Sequence, residues 1–207
     1  MNFNTITDNL FRWCVKNRNT IVRLFHLLFV VLTLLLVAGC WAILTKDVSA
    51  RKFRGLGGEL GELAIFFYIL SAIPGIFRRF GISHSLLRIV MMFRRYTGIA
   101  SFLFVLLHAS FEFIAPIASG MKSLFPLEPF TIFGTIAGIF LFMLAVTSND
   151  WSVARLGDWW GKIQNLTYVL VWFIALHVVL IEINVWSLAI ILTATAQIGS
   201  HLYSRRT

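Results

Sequence analysis

Acidic residues are scarce in this chain: nine Asp and Glu among 207 residues, against eighteen Lys and Arg, for a formal charge of +9. Charged residues of both signs make up only 13% of the sequence, about half of what a water-soluble domain carries. With 58% of residues hydrophobic and a mean hydropathy of +0.83, this composition excludes an ordinary soluble globule. Cysteine is nearly absent. Cys14 and Cys40 are 26 residues apart in a largely helical stretch, so about 39 Å separates them and no disulfide is expected. There is no Gly-rich phosphate loop, CxxC, HExxH or nucleophile elbow, which removes the commonest nucleotide, zinc and hydrolase chemistries. Nor is there an internal repeat, a low-complexity tract or strand-like alternation long enough for a membrane barrel.

Long apolar runs are present in their place. Six uncharged segments stand out: Leu24–Thr45, Leu63–Phe77, Tyr96–Phe111, Pro129–Asn149, Ile163–Ile181 and Ile183–Ser204. A bilayer core of about 30 Å needs about 20 helical residues, so the second and third runs must borrow flanking residues such as Glu62 and Glu112. The expected fold is an all-α integral membrane bundle of six spans. With the N-terminus in the cytoplasm, thirteen Lys and Arg fall on the inner side and five on the outer, so both termini are expected inside. The five are Lys122 and a basic cluster within Lys46–Arg54. Residues 1–20 read as a cytoplasmic N-terminal segment too polar for a signal sequence, and 21–204 as one transmembrane domain. The positive surplus suits membrane lipid rather than nucleic acid.

Of five histidines, only His108 and His177 fall deep within expected spans, where an ionisable side chain is costly and points to function. Each lies about 20 Å beyond the nearest inner-side charge, Arg95 and Lys162 respectively, on spans that run in the same direction. Two imidazoles at equal depth can hold one haem iron from both sides, a ligand set that favours electron transfer over oxygen chemistry. A lone membrane histidine more often just hydrogen-bonds a neighbour; the matched pair is what favours the haem reading. Ala109, Ser110 and Ala175 limit bulk beside the pair, and Phe104, Phe111, Tyr168, Trp172 and Phe173 could wall a porphyrin or be ordinary packing.

Arg94-Arg95, then Gly98, then His108 resembles the third-span motif of the ferric reductase-like transmembrane proteins. The stretch Leu144-Ala145-Val146-Thr147-Ser148, followed by Arg155-Leu156-Gly157, Trp160, Lys162-Ile163-Gln164-Asn165, Tyr168 and His177, is similar to the membrane haem subunits of bacterial periplasmic methionine sulfoxide reductase systems. The resemblance covers about residues 60–182. It implies a b-type haem protein of the bacterial inner membrane that passes electrons from a cytoplasmic flavin reductase or quinol to a redox partner on the outer face. His108 and His177 are then the outer-haem ligands. Arg94 and Arg95 support an inner anionic cofactor group, with FMN or a quinone as candidates, or serve only as positive-inside anchors.

Gln164 departs from the pattern, for the family usually has a histidine of an inner haem site there. Glutamine is a poor iron ligand, which puts a second haem in doubt unless His26, His84 or His201 substitutes; Gln164 is also expected at an irregular helix start. Glu59 and Glu62 share a helical face, and Glu112 lies one turn beyond His108, where it could steer a cationic acceptor, pair with a ring nitrogen or mark the water interface. Trp151–Gln164 reads as a short amphipathic stretch on the inner surface. With no nucleotide-binding domain in the sequence, nicotinamide oxidation is expected on a separate protein. Two other readings stand beside the electron carrier: a structural subunit of a larger membrane complex built on a degenerate cytochrome fold, and a proton-relaying transporter. The lack of paired broken helices speaks against the latter.

Overall fold

The computed structural model describes residues 3–45, 51–120, 123 and 125–205. Lys46 and Lys122, and the side chains of Arg51, Lys52 and Arg54, lie outside the described residues, and with them the expected outer basic cluster. Helices account for nearly all of the rest, and no strand occurs among the described residues. The helices are α1 (Phe3–Lys16), α2 (Arg18–Thr45), α3 (Arg51–Arg79), α4 (Ser85–Ala109), α5 (Ala115–Ala118), α6 (Pro129–Val146), α7 (Asp150–Leu156), α8 (Asp158–Gln164), α9 (Thr167–Ile181) and α10 (Val185–Ser204). A π-helical turn, Ser110–Ile114, joins α4 to α5.

Six helical stretches are long and apolar enough to cross a membrane: Arg18–Thr45, Gly55–Arg79, Ser85–Ala118, Pro129–Val146, Asp158–Ile181 and Val185–Ser204. The second and third extend well past the uncharged runs in the sequence, through Glu59, Glu62 and Glu112, as the thickness of a bilayer demands. Helix α2 is almost wholly peripheral. Only Leu32 and Gly39 are buried, while Leu24, Leu27, Leu34, Val37 and Trp41 face outward as a lipid-contacting helix should.

Two helix pairs make the core. Helices α3 and α4 approach closely because small residues line the seam: Gly57, Gly61 and Ala64 on one, Thr97, Ala100 and Ser101 on the other. Ser101 Oγ donates to the Ala64 carbonyl across it at 2.8 Å. Helices α6 and α9 pack through Ala137, Leu141 and Leu144 against Leu170, Val171, Ile174 and Ala175. Tyr68 of α3, 3% exposed, joins the pairs by donating to the Thr167 carbonyl at 3.1 Å. Helix α10 closes the bundle with Ile190 and Ala194 fully buried.

Two features go beyond the sequence reading. The N-terminal segment is a docked helix: Thr7 and Cys14 of α1 are buried, Asp8 accepts from Ser85 and pairs with Arg88, and Arg88 covers the Phe11 ring at 4.4 Å. Spacings of four and three residues place Thr7, Phe11 and Cys14 on one face, a pattern masked by the polar residues between them. Burial pushes the Cys14 thiol above its ordinary range. The third span, second, is not uniformly α-helical. Pro116 has no N–H, and its ring would clash with the carbonyl four residues back, that of Glu112. The helix widens by one residue instead, and Ala115 N–H reaches the Ser110 carbonyl.

Both cysteines are free, as expected. Arginines and lysines at the α1–α2 junction, the α3–α4 turn, α7, α8 and the end of α10 gather at one end of the bundle, here termed the basic end.

Candidate functional site

His108 is in the last turn of α4 and His177 in the second half of α9. The two imidazoles face each other with centroids 6.1 Å apart and planes at 79°. Each ring is held from behind by the same device. His108 Nδ1 lies 2.8 Å from the Gly57 carbonyl of α3, and His177 Nδ1 lies 2.7 Å from the Phe130 carbonyl of α6. A carbonyl only accepts, so Nδ1 carries the proton and Nε2 keeps its lone pair. Neither Nε2 has a hydrogen-bond partner among the described residues.

Four residues after each accepting carbonyl stands a glycine, one helical turn on. A β-carbon on Gly61 would come within 2.9 Å of His108 Nδ1, and one on Gly134 within 2.6 Å of His177 Nδ1. No larger residue fits at either position without moving the ring. Two histidines on two spans therefore sit against two further spans, each with its tautomer fixed and its second nitrogen free for a metal.

The geometry suits one metal between the rings. A first-row metal lies about 2.0–2.1 Å from an imidazole nitrogen, itself about 1.1 Å from the ring centroid, so bridged centroids would be about 6.2–6.4 Å apart. No cluster of three or more His, Cys, Asp or Glu occurs among the described residues. A metal held by these two imidazoles must bring its remaining ligands with it, as the iron of a porphyrin does.

The other sequence-singled residues go elsewhere. Arg95 pairs with Asp150 at 2.7 Å, tying α4 to the start of α7 on the exposed rim; the guanidinium holds the Asp150 carboxyl below its ordinary range. Its neighbour Arg94, about 100° around the helix, is half-buried, with its Nη1 4.0 Å from the point where a β-carbon on Gly75 of α3 would stand. Gln164 Nε2 donates to Thr147 Oγ1 at 3.2 Å, pinning the end of α8 to the end of α6; Asn165 and Leu166 separate it from α9, the expected irregular start. About 21 Å of helix separates Arg94 from His108. Of the five aromatics, Phe104 stacks on Phe67, Phe173 meets Phe133 and Phe140, and Tyr168 meets His201. Phe111 packs in the α2–α4 cluster and Trp172 faces outward. Phe130, with its ring centroid 6.2 Å from that of His177, is the aromatic beside the pair. Glu112 packs its carboxylate over Gly57.

Sequence reasoning missed Gly57, Gly61, Phe130 and Gly134. Isolated glycines in apolar helices were the available signal, since each marks a close approach.

A multi-pass helical membrane bundle is the class the fold defines, and a family model matches more than half of the chain. Residues 58–176 match the ferric reductase like transmembrane component family, and the chain belongs to it as a multi-pass membrane protein. The protein-methionine-sulfoxide reductase heme-binding subunit MsrQ of Rhizobium meliloti (strain 1021) is 33% identical over 137 residues, which is 62% of this chain and 57% of that protein. MsrQ of Brucella ovis is 26% identical over 146 residues, 69% of this chain and 63% of that protein. The chain thus spans about three fifths of the length of these curated relatives. No solved structure matches it.

Proposed function

We propose that this chain is a b-type haem protein of the bacterial inner membrane, with both termini cytoplasmic, that transfers electrons from a cytoplasmic flavin or quinol donor to an outer-face acceptor. His108 and His177 are the axial ligands of one haem. The observation that carries this reading is the opposed imidazole pair, 6.1 Å between centroids, with both Nδ1 atoms occupied by backbone carbonyls. A haem held by two imidazoles supplies one-electron exchange with no open coordination position. The residues of this chain orient the rings, fix their tautomers and bury them from water among apolar helices.

The concentration of arginine and lysine at one end supports a cytoplasmic position for that end, with the histidines in the outer half of the bilayer. The names of the relatives support a protein-methionine-sulfoxide reductase as the acceptor. Arg94 belongs to the donor side, while Arg95 anchors α4 to α7. A single haem is proposed because the Gln164 amide is engaged with Thr147, and His26 and His201 pack against Tyr96 and Tyr168.

The test is haem per polypeptide in purified protein, with oxidised and dithionite-reduced spectra, beside His108→Ala and His177→Ala. One low-spin six-coordinate haem, lost in both variants, is the expected result. Two haems in the wild type would overturn the single-haem reading. Folded protein without haem would overturn the electron carrier and leave a structural subunit of a larger membrane complex.

A further inference from the structure

Helix α1 leaves the axis of α2. Phe25 of α2 meets Phe93 and Tyr96 of α4, with ring centroids 6.0 and 5.4 Å away, which sets the relative depth of two spans that run in the same direction. Eight residues before Phe93 is Ser85, and eight before Phe25 is Asn17, each about 12 Å nearer the basic end. Were α1 a straight continuation of α2, Asp8 would stand about 13.5 Å beyond the level of Asn17. Asp8 instead accepts a hydrogen bond from Ser85 Oγ, a contact between two short side chains. The chain therefore turns at Asn17, and α1 lies across the end of the bundle at the depth of the first turn of α4.

At about 100° per residue the side chains of α1 fall into sectors. Thr7, Phe11 and Cys14 face α4, with Thr7 and Cys14 buried and Phe11 beneath Arg88. Beside them, within about 60° of arc, run Ile6, Leu10 and Trp13, which are 46%, 43% and 56% exposed. Arg12 and Lys16, both exposed, flank that row on its other side. Val15, 49% exposed, lies about 170° from the centre of the row. Half of the apolar arc is thus taken up by α4 and the other half is bare.

Depth says what covers the bare half. From Asn17 to Leu24, the first outward-facing leucine of α2, is about 10.5 Å of helix, which puts α1 at headgroup level just outside the hydrocarbon core. The row continues, in depth, the lipid-facing surface that Leu24 and Leu27 begin. A helix with Leu and Trp on one face and Lys and Arg beside them has the pattern of one lying in the plane of the interface, its cations toward lipid phosphates.

We infer that α1 is an in-plane membrane anchor. Ile6, Leu10 and Trp13 insert into the phospholipid leaflet at the basic end, Arg12 and Lys16 meet its phosphates, and Asp8 fixes the helix to α4 through Ser85 and Arg88. The occupant of the row is lipid, neither a second copy of the chain nor a soluble protein. The anchor requires no haem and no particular side of the membrane for the basic end, so it stands apart from the proposed function.

Full-length protein is reconstituted in phosphatidylcholine nanodiscs with and without bromine on the acyl chains. Trp13 emission is the difference between wild type and Trp13→Phe. The expected result is loss of that emission in the brominated nanodiscs. Emission that survives there overturns the anchor, and aqueous iodide then tells the reason: quenching by iodide means that the row faces water, and none means that protein covers it. Amide hydrogen exchange on the same nanodiscs is a second reading. Leu10→Asp is expected to speed exchange across residues 4–16 about ten-fold by expelling the row from lipid. Val15→Asp, the same charge on the opposite face, is expected to leave it unchanged. Equal acceleration in the two variants, or none in Leu10→Asp, would overturn the anchor.

Discussion

Gly134 and His177 stand so close that a single added methyl group would fall 2.6 Å from the imidazole Nδ1. The same relationship recurs between Gly61 and His108 at 2.9 Å. In both cases the carbonyl one turn earlier, Phe130 or Gly57, receives the imidazole proton. The glycine and the carbonyl act together: one makes room for the ring, the other sets which nitrogen is free.

Gly134→Ala is therefore expected to push the His177 ring off the Phe130 carbonyl and lower haem affinity by about 10–100-fold, the usual effect of losing a ligand's orienting partner. Gly61→Ala should do the same more mildly, since its clash is smaller. Gly138→Ala on the same helix is the control, because its nearest atom, Val105 Cγ1, lies at 3.9 Å. Haem retention during dilution, read from the absorption spectrum, ranks the three. Equal retention in Gly134→Ala and Gly138→Ala would remove the orienting role.

Tyr68 and Ser101 test the scaffold apart from the site. Tyr68→Phe removes the bond from α3 to the Thr167 carbonyl, and Ser101→Ala the bond from α4 to Ala64. Hydrogen bonds between membrane helices average about 0.6 kcal/mol and reach about 1.7, so each loss should cost no more than that. Unfolding in mixed micelles measures it, and haem per chain should stay unchanged in both.

Much of this was legible in the sequence, and the reasons differ by element. The six spans follow from uncharged runs, because a bilayer leaves few alternatives to a helix of about 20 residues. The histidine pair could be read because depth along two helices is a matter of counting residues. Which carbonyls the rings meet could not be read that way, since it depends on how α3 and α6 pack against α4 and α9. The π turn was readable in principle from Pro116, but proline alone does not say whether a helix kinks, ends or widens. Arg94 and Arg95 looked like a pair only because they are adjacent in sequence; on a helix they face different neighbours, Gly75 of α3 and Asp150 of α7.

The Arg95–Asp150 pair gives a pH dependence with a defined sign. Arg95 lowers the Asp150 pKa in the folded protein, so the pair's contribution is present above the carboxylate's unfolded pKa of about 3.9 and fades as pH falls through the lowered folded value. Asp150 is 91% exposed as a side chain, so the effect is small and screened by salt. Asp150→Asn should lower the melting temperature slightly at pH 7 and low ionic strength, with the difference vanishing in strong acid or in molar salt. A difference that grows on acidification would contradict the assignment.

Gln164 divides the structural from the cofactor role most sharply. Its amide pins α8 to Thr147 beside the Trp160 indole, which donates to the Thr147 carbonyl at 3.0 Å, so the two side chains fasten the amphipathic turn to the end of α6. Gln164→Ala should cost about 1 kcal/mol, the net worth of one such bond, and leave the haem spectrum and haem count unaltered. Thr147→Val should cost a similar amount, and the double variant little more, because both remove the same bond. A cofactor role predicts the opposite pattern. Haem or flavin content would fall in Gln164→Ala and stay intact in Thr147→Val, since only the glutamine could reach a bound group.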